Sequence, residues 1–253
     1  MSDGLRLALT TFTVAPIRAG RVDRTTAGAA MVWAPVVGAA LGALLAAALL
    51  GLNWLVTPPL LAGILVVGLA ALLTRGLHLD GLADTVDALG SYRSGAEALD
   101  IMRRPDIGPF GVVALVVVLG AQAVALAGVP ARGWLATLTG VAAAWATGRL
   151  AATWACRRGV PAARPDGLGA LVAGTVGPLR LGLATVAVAL LAVAAVPGRP
   201  WQGPVTVVAA LAVALLLTHH GVRRFGGVTG DLLGALVEIA STITLIGLAI
   251  RPL

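Results

Sequence analysis

Long apolar runs are the feature that most restricts how this chain can fold. A helix of about 20 apolar residues spans the roughly 30 Å hydrocarbon core of a bilayer, where only helices and closed barrels satisfy their own backbone groups. The candidate spans are 29–52, 54–74, 109–129, 134–156, 181–196, 201–218 and 232–250, of which the fifth and sixth are short. We predict an all-α fold, a polytopic transmembrane helix bundle of about seven spans, forming one domain over residues 1–253.

Composition favours a membrane protein over a soluble or nucleic-acid-binding one. Of 253 residues, 58% are hydrophobic and only 11% are charged, too few to cover the surface of a soluble domain. The net charge is +7, but all 18 basic residues are arginines scattered over loops, so no nucleic-acid partner is expected. The single cysteine, Cys156, excludes an internal disulfide framework. Arginines interrupt the N-terminal segment early, so no cleavable signal peptide is expected.

The distribution of arginines predicts the orientation in the membrane. With the N-terminus in the cytoplasm and spans alternating, fourteen arginines fall on the inner side. Only three fall on the outer side, namely Arg132, Arg199 and Arg251. Because positively charged loops stay in the cytoplasm, the predicted topology is N-in and C-out. The three polar inserts, residues 75–108, 157–180 and 219–231, then share the cytoplasmic face, as a cytoplasm-facing active site requires.

A cluster of aspartates in the first polar insert indicates a metal site. Asp80, Asp84 and Asp87 fall within an arc of roughly 60° on a helix. Like charges at this spacing repel, so folding alone does not favour them. Carboxylate oxygens suit magnesium or manganese, and magnesium commonly binds through a few carboxylates and substrate phosphates. We predict that these aspartates are catalytic and hold the metal, and that Gly81 leaves room beside the backbone.

Other polar residues of the inserts are candidates for substrate binding. His78 is counted as catalytic, although its role as a base, a phosphate donor or an interfacial histidine stays open. Arg75, Arg103 and Arg104 are predicted to bind phosphate, as arginine does bidentately. The alternative for 97–106 is ion pairing along a helix. Arg149 lies inside the fourth span and is predicted either to reach a substrate phosphate or to pair with Glu238 of the seventh.

The third insert contains a glycine-rich loop, R-R-F-G-G-V-T-G-D, that leads into the last span. Such a loop at the start of a helix can present backbone N–H groups to a phosphate. Its predicted substrate-binding residues are Gly227, Thr229, Gly230 and Asp231. The D-G-L-G sequence at 166–169 is either a plain turn or part of the same site.

At H-L-D-G-L-A-D-T-V-D-A-L-G, residues 78–90, the chain resembles the cobalamin synthase family, the adenosylcobinamide-GDP ribazoletransferases. The resemblance covers nearly the whole chain. Further matching segments are 35–42, Ile101-Met102-Arg103, Ile107-Gly108 with Gly111, Gly148-Arg149, 167–169, and G-G-V-T-G-D at 226–231. The chain departs from the family at Arg104-Pro105-Asp106, where some members carry Asp-Ser-Arg.

The resemblance implies a magnesium-dependent, multi-pass enzyme of the cell membrane that acts in the last stage of cobalamin biosynthesis. Its substrates are adenosylcobinamide-GDP and α-ribazole or its 5′-phosphate, and its second product is GMP. The active site faces the cytoplasm. Membrane lipid surrounds the chain, and association with a second copy or with other corrinoid-assembly enzymes stays open.

Two other classes of protein fit the sequence less well. A CDP-alcohol phosphotransferase requires Ala-Arg shortly after its first Asp-Gly, whereas this chain has Asp84-Thr85 there. A transporter is expected to place polar groups near the membrane midplane and often to contain an internal repeat. Here the aspartates cluster near one surface and no repeat is found.

Overall fold

The computed structural model describes residues 1–250, so the outer-side prediction for Arg251 lies outside the described part. Over this range the chain forms eleven α-helices and no strand. They are α1 (Asp3–Phe12), α2 (Arg24–Trp54), α3 (Pro59–Leu73), α4 (Leu77–Gly90), α5 (Gly95–Ile101), α6 (Pro109–Ala127), α7 (Trp134–Ala155), α8 (Gly167–Val172), α9 (Pro178–Ala192), α10 (Gln202–Phe225) and α11 (Gly230–Ala249). The predicted all-α bundle is confirmed.

Several helices are long and apolar enough to cross a membrane. Five meet this condition in the described residues: α2, α6, α9, α10 and α11, with α6 and α9 extended by a short 3₁₀ turn. A sixth arises if α3 and α4, which bend by 93° at their junction, count as one span. These helices fit a multi-pass membrane protein. Length and composition thus indicate five or six spans, fewer than the seven predicted. The main reason is that α7 is long enough to span a membrane but not apolar enough.

Helix α7 is the centre of the bundle. Seventeen of its 22 residues are buried, and helices α2, α9, α10 and α11 surround it. A helix enclosed by other helices does not need an apolar outer surface. Its threonines, tryptophans and Arg149 are therefore compatible with a position inside the membrane part of the protein.

Small residues let these helices approach closely, as the sequence predicts for membrane packing. A Cβ placed on Gly42 of α2 would lie 2.6 Å from the carbonyl oxygen of Val141 in α7. A Cβ on Gly148 of α7 would lie 2.5 Å from the carbonyl oxygen of Val237 in α11. Backbone therefore packs directly on backbone along both faces of the central helix.

The three polar inserts meet at one end of the bundle. The Ala163 N–H donates to the Val228 carbonyl at 3.1 Å, and the Val228 N–H donates to the Pro161 carbonyl at 2.9 Å, so these bonds join the second and third inserts. An Arg164 guanidinium nitrogen donates to the Leu99 carbonyl of the first insert at 2.8 Å. The prediction that the inserts share one face is consistent with these contacts.

The N-terminal helix α1 was not predicted. It begins after Ser2, whose hydroxyl accepts the Leu5 N–H at 3.4 Å, and it packs against α2 through buried Ala8 and Phe12. Because α1 lies over the polar end of the bundle, Phe12 reaches the site described below.

Candidate functional site

The aspartate-bearing helix α4 lies across the ends of α6 and α11. The chain turns by 93° after α3, through Arg75 and Gly76 in left-handed conformations with φ of 57° and 66°. A Cβ on Gly81 would lie 2.7 Å from the Asp231 carbonyl oxygen, and one on Gly234 would lie 3.2 Å from the His78 Cα. This close approach sets the N-terminal half of α4 directly on the first turns of α11. We therefore place α4 at the polar end of the bundle, outside the spans. The prediction that Gly81 leaves room for a phosphate or an ion beside the backbone is wrong, because α11 occupies that space.

The approach of α4 to α11 gathers three carboxylates. Asp80 is exposed, whereas Asp84 and Asp231 are partly buried. Burial raises the pKa of Asp84 to about 7, and the negative charges of Asp80, Asp231 and Asp87 add to this effect. In residues 1–250 the only ion pairs are Arg21–Asp23 and Arg93–Glu97, so none of these carboxylates is in an ion pair. The positive charge of Arg164 nevertheless partly stabilises the ionised form of Asp231. Asp231, predicted only to bind substrate, is thus part of the acidic cluster.

Asp87 differs from the other two predicted metal ligands, because its carboxylate caps helix α6. One oxygen accepts the Gly108 N–H at 2.7 Å and the other accepts the Gly111 N–H at 2.9 Å. A Cβ at either glycine would collide with this carboxylate, which explains the I-G-P-F-G sequence at 107–111. Asp87 therefore holds α4 against α6, and both of its carboxylate oxygens are already occupied by backbone donors. The metal role of Asp80, Asp84 and Asp87 stays a prediction, which this geometry favours for Asp80 and Asp84.

Replacing Asp87 by asparagine is expected to destabilise the protein without changing its need for metal. The asparagine NH₂ group would face a backbone N–H, so one of two charged hydrogen bonds is lost, at about 1–3 kcal/mol. We expect a lower thermal unfolding midpoint in detergent and a magnesium requirement within about threefold of wild type. A raised magnesium requirement with unchanged stability would return Asp87 to the ligands.

The donor set fits magnesium only with help from substrate. No group of three or more His, Cys, Asp or Glu side chains in the described chain is arranged to hold a metal ion by itself. Magnesium, however, keeps several waters and is commonly held by one or two carboxylates and substrate phosphates. Asp80 and Asp84, four residues apart on one helix face, meet that requirement.

Two cavities flank the acidic cluster. The groove, of about 800 Å³, is lined by Asp80, Asp84 and Asp231 on one side and by Arg75, Arg104 and Asp106 among its other walls. The inner cavity, of about 270 Å³, lies between α1, α4, α11 and the 164–169 loop. Asp80 and Asp231 line both cavities and so form their shared wall.

The predicted phosphate-binding arginines separate into two groups. Arg75 and Arg104 line the groove, and Arg75 also donates to the Thr10 carbonyl at 3.1 Å. Arg103 is exposed and lines neither cavity. Arg164, which was not predicted to bind substrate, lines the inner cavity. No spacing or motif distinguished it from the other loop arginines.

The structure does not support a substrate contact for Arg149. Only 1% of its surface is exposed, and it lies with Glu238 beside a small separate cavity of about 10 Å³. Glu238 accepts a hydrogen bond from the Gln122 amide at 2.9 Å, and no direct Arg149–Glu238 ion pair forms. The predicted alternative, pairing with Glu238, is not formed as a direct ion pair either, so Arg149 is a buried arginine close to Glu238.

The glycine-rich loop has mainly structural roles. A Cβ on Gly227 would collide with the backbone of Ala162 and Ala163, and Gly227 lines neither cavity, so its geometry indicates a packing role and its substrate contact stays a prediction. Thr229 caps α11, because its hydroxyl accepts the Leu232 N–H at 3.0 Å. Thr229, Gly230 and Asp231 nevertheless line the inner cavity, as do residues of the D-G-L-G sequence.

His78 lies deep in the inner cavity. Only 3% of its surface is exposed, and its ring stacks on Phe12 with centroids 5.7 Å apart and planes at 14°. Neither ring nitrogen has a hydrogen-bond partner. His78 is therefore a buried histidine with both ring nitrogens unpartnered among the described residues, and its roles as a base, a phosphate donor or an interfacial histidine stay predictions.

Comparison with known proteins connects this site to a family. A family model described as cobalamin-5-phosphate synthase matches residues 4–249. An adenosylcobinamide-GDP ribazoletransferase of Frankia casuarinae is 44% identical over 96% of this chain and 93% of its own length. Proteins of the same name from Nocardioides sp. and Corynebacterium efficiens are 43% and 36% identical, over 99% of this chain and 100% and 92% of their own lengths. No solved structure matches significantly. The chain, with its acidic cluster set between two cavities, belongs to the cobalamin-5-phosphate synthase family of transferases.

Proposed function

We propose that this protein joins adenosylcobinamide-GDP to α-ribazole, or to its 5′-phosphate, and releases GMP. The products are then adenosylcobalamin, or its 5′-phosphate, and GMP. The observation that carries the proposal is the cluster of Asp80, Asp84 and Asp231, which form no ion pair within residues 1–250 and lie between two cavities of unequal size. Like charges held together at an accessible surface favour a bound cation and a phosphate substrate.

In this proposal a ribose hydroxyl attacks the phosphorus attached to the cobinamide arm. A new P–O bond to the ribose forms while the anhydride P–O bond to GMP breaks, and the hydroxyl proton passes to Asp231. Arg75 and Arg104 orient the diphosphate in the groove. Asp80 and Asp84 would hold magnesium, which when bound neutralises charge on the phosphates. Such transfers depend on positioning and charge neutralisation more than on covalent help from the protein.

Purified protein tests the proposal directly. With adenosylcobinamide-GDP, α-ribazole and magnesium we expect GMP and a cobalamin product in equal amounts, and no product after chelation of the metal. Liberation of GMP without a cobalamin would indicate a hydrolase. No GMP from a folded protein under these conditions would refute the proposal.

The raised pKa of Asp84 predicts a pH-dependent magnesium requirement. With a pKa of about 7, the carboxyl is mostly protonated at pH 6 and mostly ionised at pH 8, and only the ionised form binds a cation. Competition by one proton then weakens apparent magnesium affinity about tenfold from pH 8 to pH 6. The measurement uses α-ribazole rather than its 5′-phosphate, because the phosphate group would itself change protonation in this pH range. An Asp84→Asn variant with the same tenfold dependence would contradict this assignment.

We also propose that the site faces the cytoplasm, because the arginine-rich inserts gather at the same end of the bundle. Cys156 is buried and is the only cysteine, so introduced cysteines can be labelled against a low background. A membrane-impermeant maleimide should label Ser94→Cys in inverted vesicles and Asn53→Cys in intact spheroplasts. The reverse pattern would overturn the orientation.

A further inference from the structure

The two cavities differ in size, and this difference matches the two substrates of the proposed reaction. The groove, about 800 Å³, contains Arg75 and Arg104 beside the carboxylates. The inner cavity, about 270 Å³, is slightly below the usual range of about 300–1,000 Å³ for drug-sized ligands. The inner cavity is too small for a corrinoid nucleotide and suits a smaller ligand, whereas the larger groove offers two arginines to a diphosphate.

The walls of the inner cavity suit a flat aromatic base with a polar group. Phe12, Met31 and Leu233 provide apolar surface, and the ring of Phe12 is stacked on His78. The two ring nitrogens of His78 are buried without partners. A polar group buried without a partner is unfavourable, so a ligand that forms a hydrogen bond to His78 would gain affinity from it.

We propose that the inner cavity binds the acceptor nucleoside, α-ribazole or its 5′-phosphate, with His78 hydrogen-bonded to it and its base against Phe12 and Leu233. The inference rests on the proposed function and adds which cavity takes which substrate. The acceptor hydroxyl then meets the donor phosphorus at the shared wall of Asp80 and Asp231. His78 serves here as a binding residue for the nucleoside.

A His78→Phe variant tests the assignment with little change in shape. Phenylalanine keeps a flat ring that can stack on Phe12, although it is somewhat larger than imidazole, and it removes both unpartnered nitrogens from the protein interior. We expect the KM for α-ribazole to rise about tenfold, the KM for adenosylcobinamide-GDP to stay within about twofold, and the thermal midpoint not to fall. Leu168→Trp, at the exposed rim of the inner cavity, should have the same selective effect by occlusion.

Arg104→Ala is the matched variant in the groove, and it should raise the KM for the donor while leaving that for α-ribazole unchanged. If His78→Phe and Leu168→Trp affect the donor KM instead, or neither KM, the assignment is wrong. Calorimetric binding of α-ribazole to the protein without donor or magnesium separates the two proposals. Binding that His78→Phe weakens, in a protein without transferase activity, would refute the proposed function and retain the nucleoside pocket. Absence of such binding in an active enzyme would overturn the pocket.

Discussion

Asparagine in place of Asp80 is expected to lower the rate of GMP release at least about a hundredfold, because one of two carboxylate ligands to magnesium is lost. The same change should not destabilise the protein. The Asp80 side chain forms no ion pair or hydrogen bond within residues 1–250, and removing its charge relieves repulsion with Asp84 and Asp231. A residue whose loss impairs activity but not stability belongs to the function rather than to the fold.

Asp231→Asn should give a different kinetic result. If Asp231 accepts the hydroxyl proton, its replacement lowers kcat by about 10²–10⁴-fold while the magnesium requirement stays near that of wild type. For Asp80→Asn, excess magnesium should restore part of the lost rate.

Asp100→Asn is the matched control for both variants, since Asp100 is exposed and lines neither cavity. Turnover within threefold of wild type for Asp80→Asn would exclude Asp80 as a ligand.

The sequence predicted the general architecture because apolar length is a strong physical constraint. Runs of 20 apolar residues have few alternatives to a spanning helix, and helices appear at each of the seven predicted spans. Their exact number was less predictable. Helix α7 is enclosed by its neighbours, so its composition resembles that of a soluble core helix rather than a lipid-facing one.

The candidate site was predictable where it depends on spacing within one helix and not where it depends on contacts between helices. Asp80 and Asp84 are neighbours on α4 by periodicity alone. The sequence gives no sign that Asp87 turns to cap α6, or that Asp231 joins the cluster from α11. Arg149 was predicted to bind substrate because a charged side chain inside a membrane span is energetically costly. That cost indicates a buried structural group as readily as a functional one.

Helix α1 was missed although its sequence contains usable signals. Ser2 precedes the helix as an N-cap, and Leu5, Ala8 and Phe12 recur at helical spacing. This segment is too short to span a membrane, so a search for long apolar runs does not detect it. The consequence is functional, since Phe12 forms part of the inner cavity.

Alanine in place of Gly81 tests whether the contact between α4 and α11 positions the site. The added Cβ would lie 2.7 Å from the carbonyl oxygen and 3.0 Å from the Cα of Asp231. Both atoms belong to backbone, so the helices must separate to accept it. Such overpacking costs about 1–3 kcal/mol, and a displacement approaching 1 Å at a reacting centre can lower the rate about a hundredfold.

We therefore expect Gly81→Ala to reduce GMP release about 10–100-fold at temperatures where the variant is still fully folded. Gly68→Ala is the matched control, because Gly68 lies in α3 with open space around it and alanine favours the helix. That variant should keep wild-type turnover and an equal or higher thermal midpoint. If Gly81→Ala were as active as Gly68→Ala, the spacing between Asp80 and Asp231 would not limit the reaction, and the carboxylates would have to act independently of the α4–α11 contact.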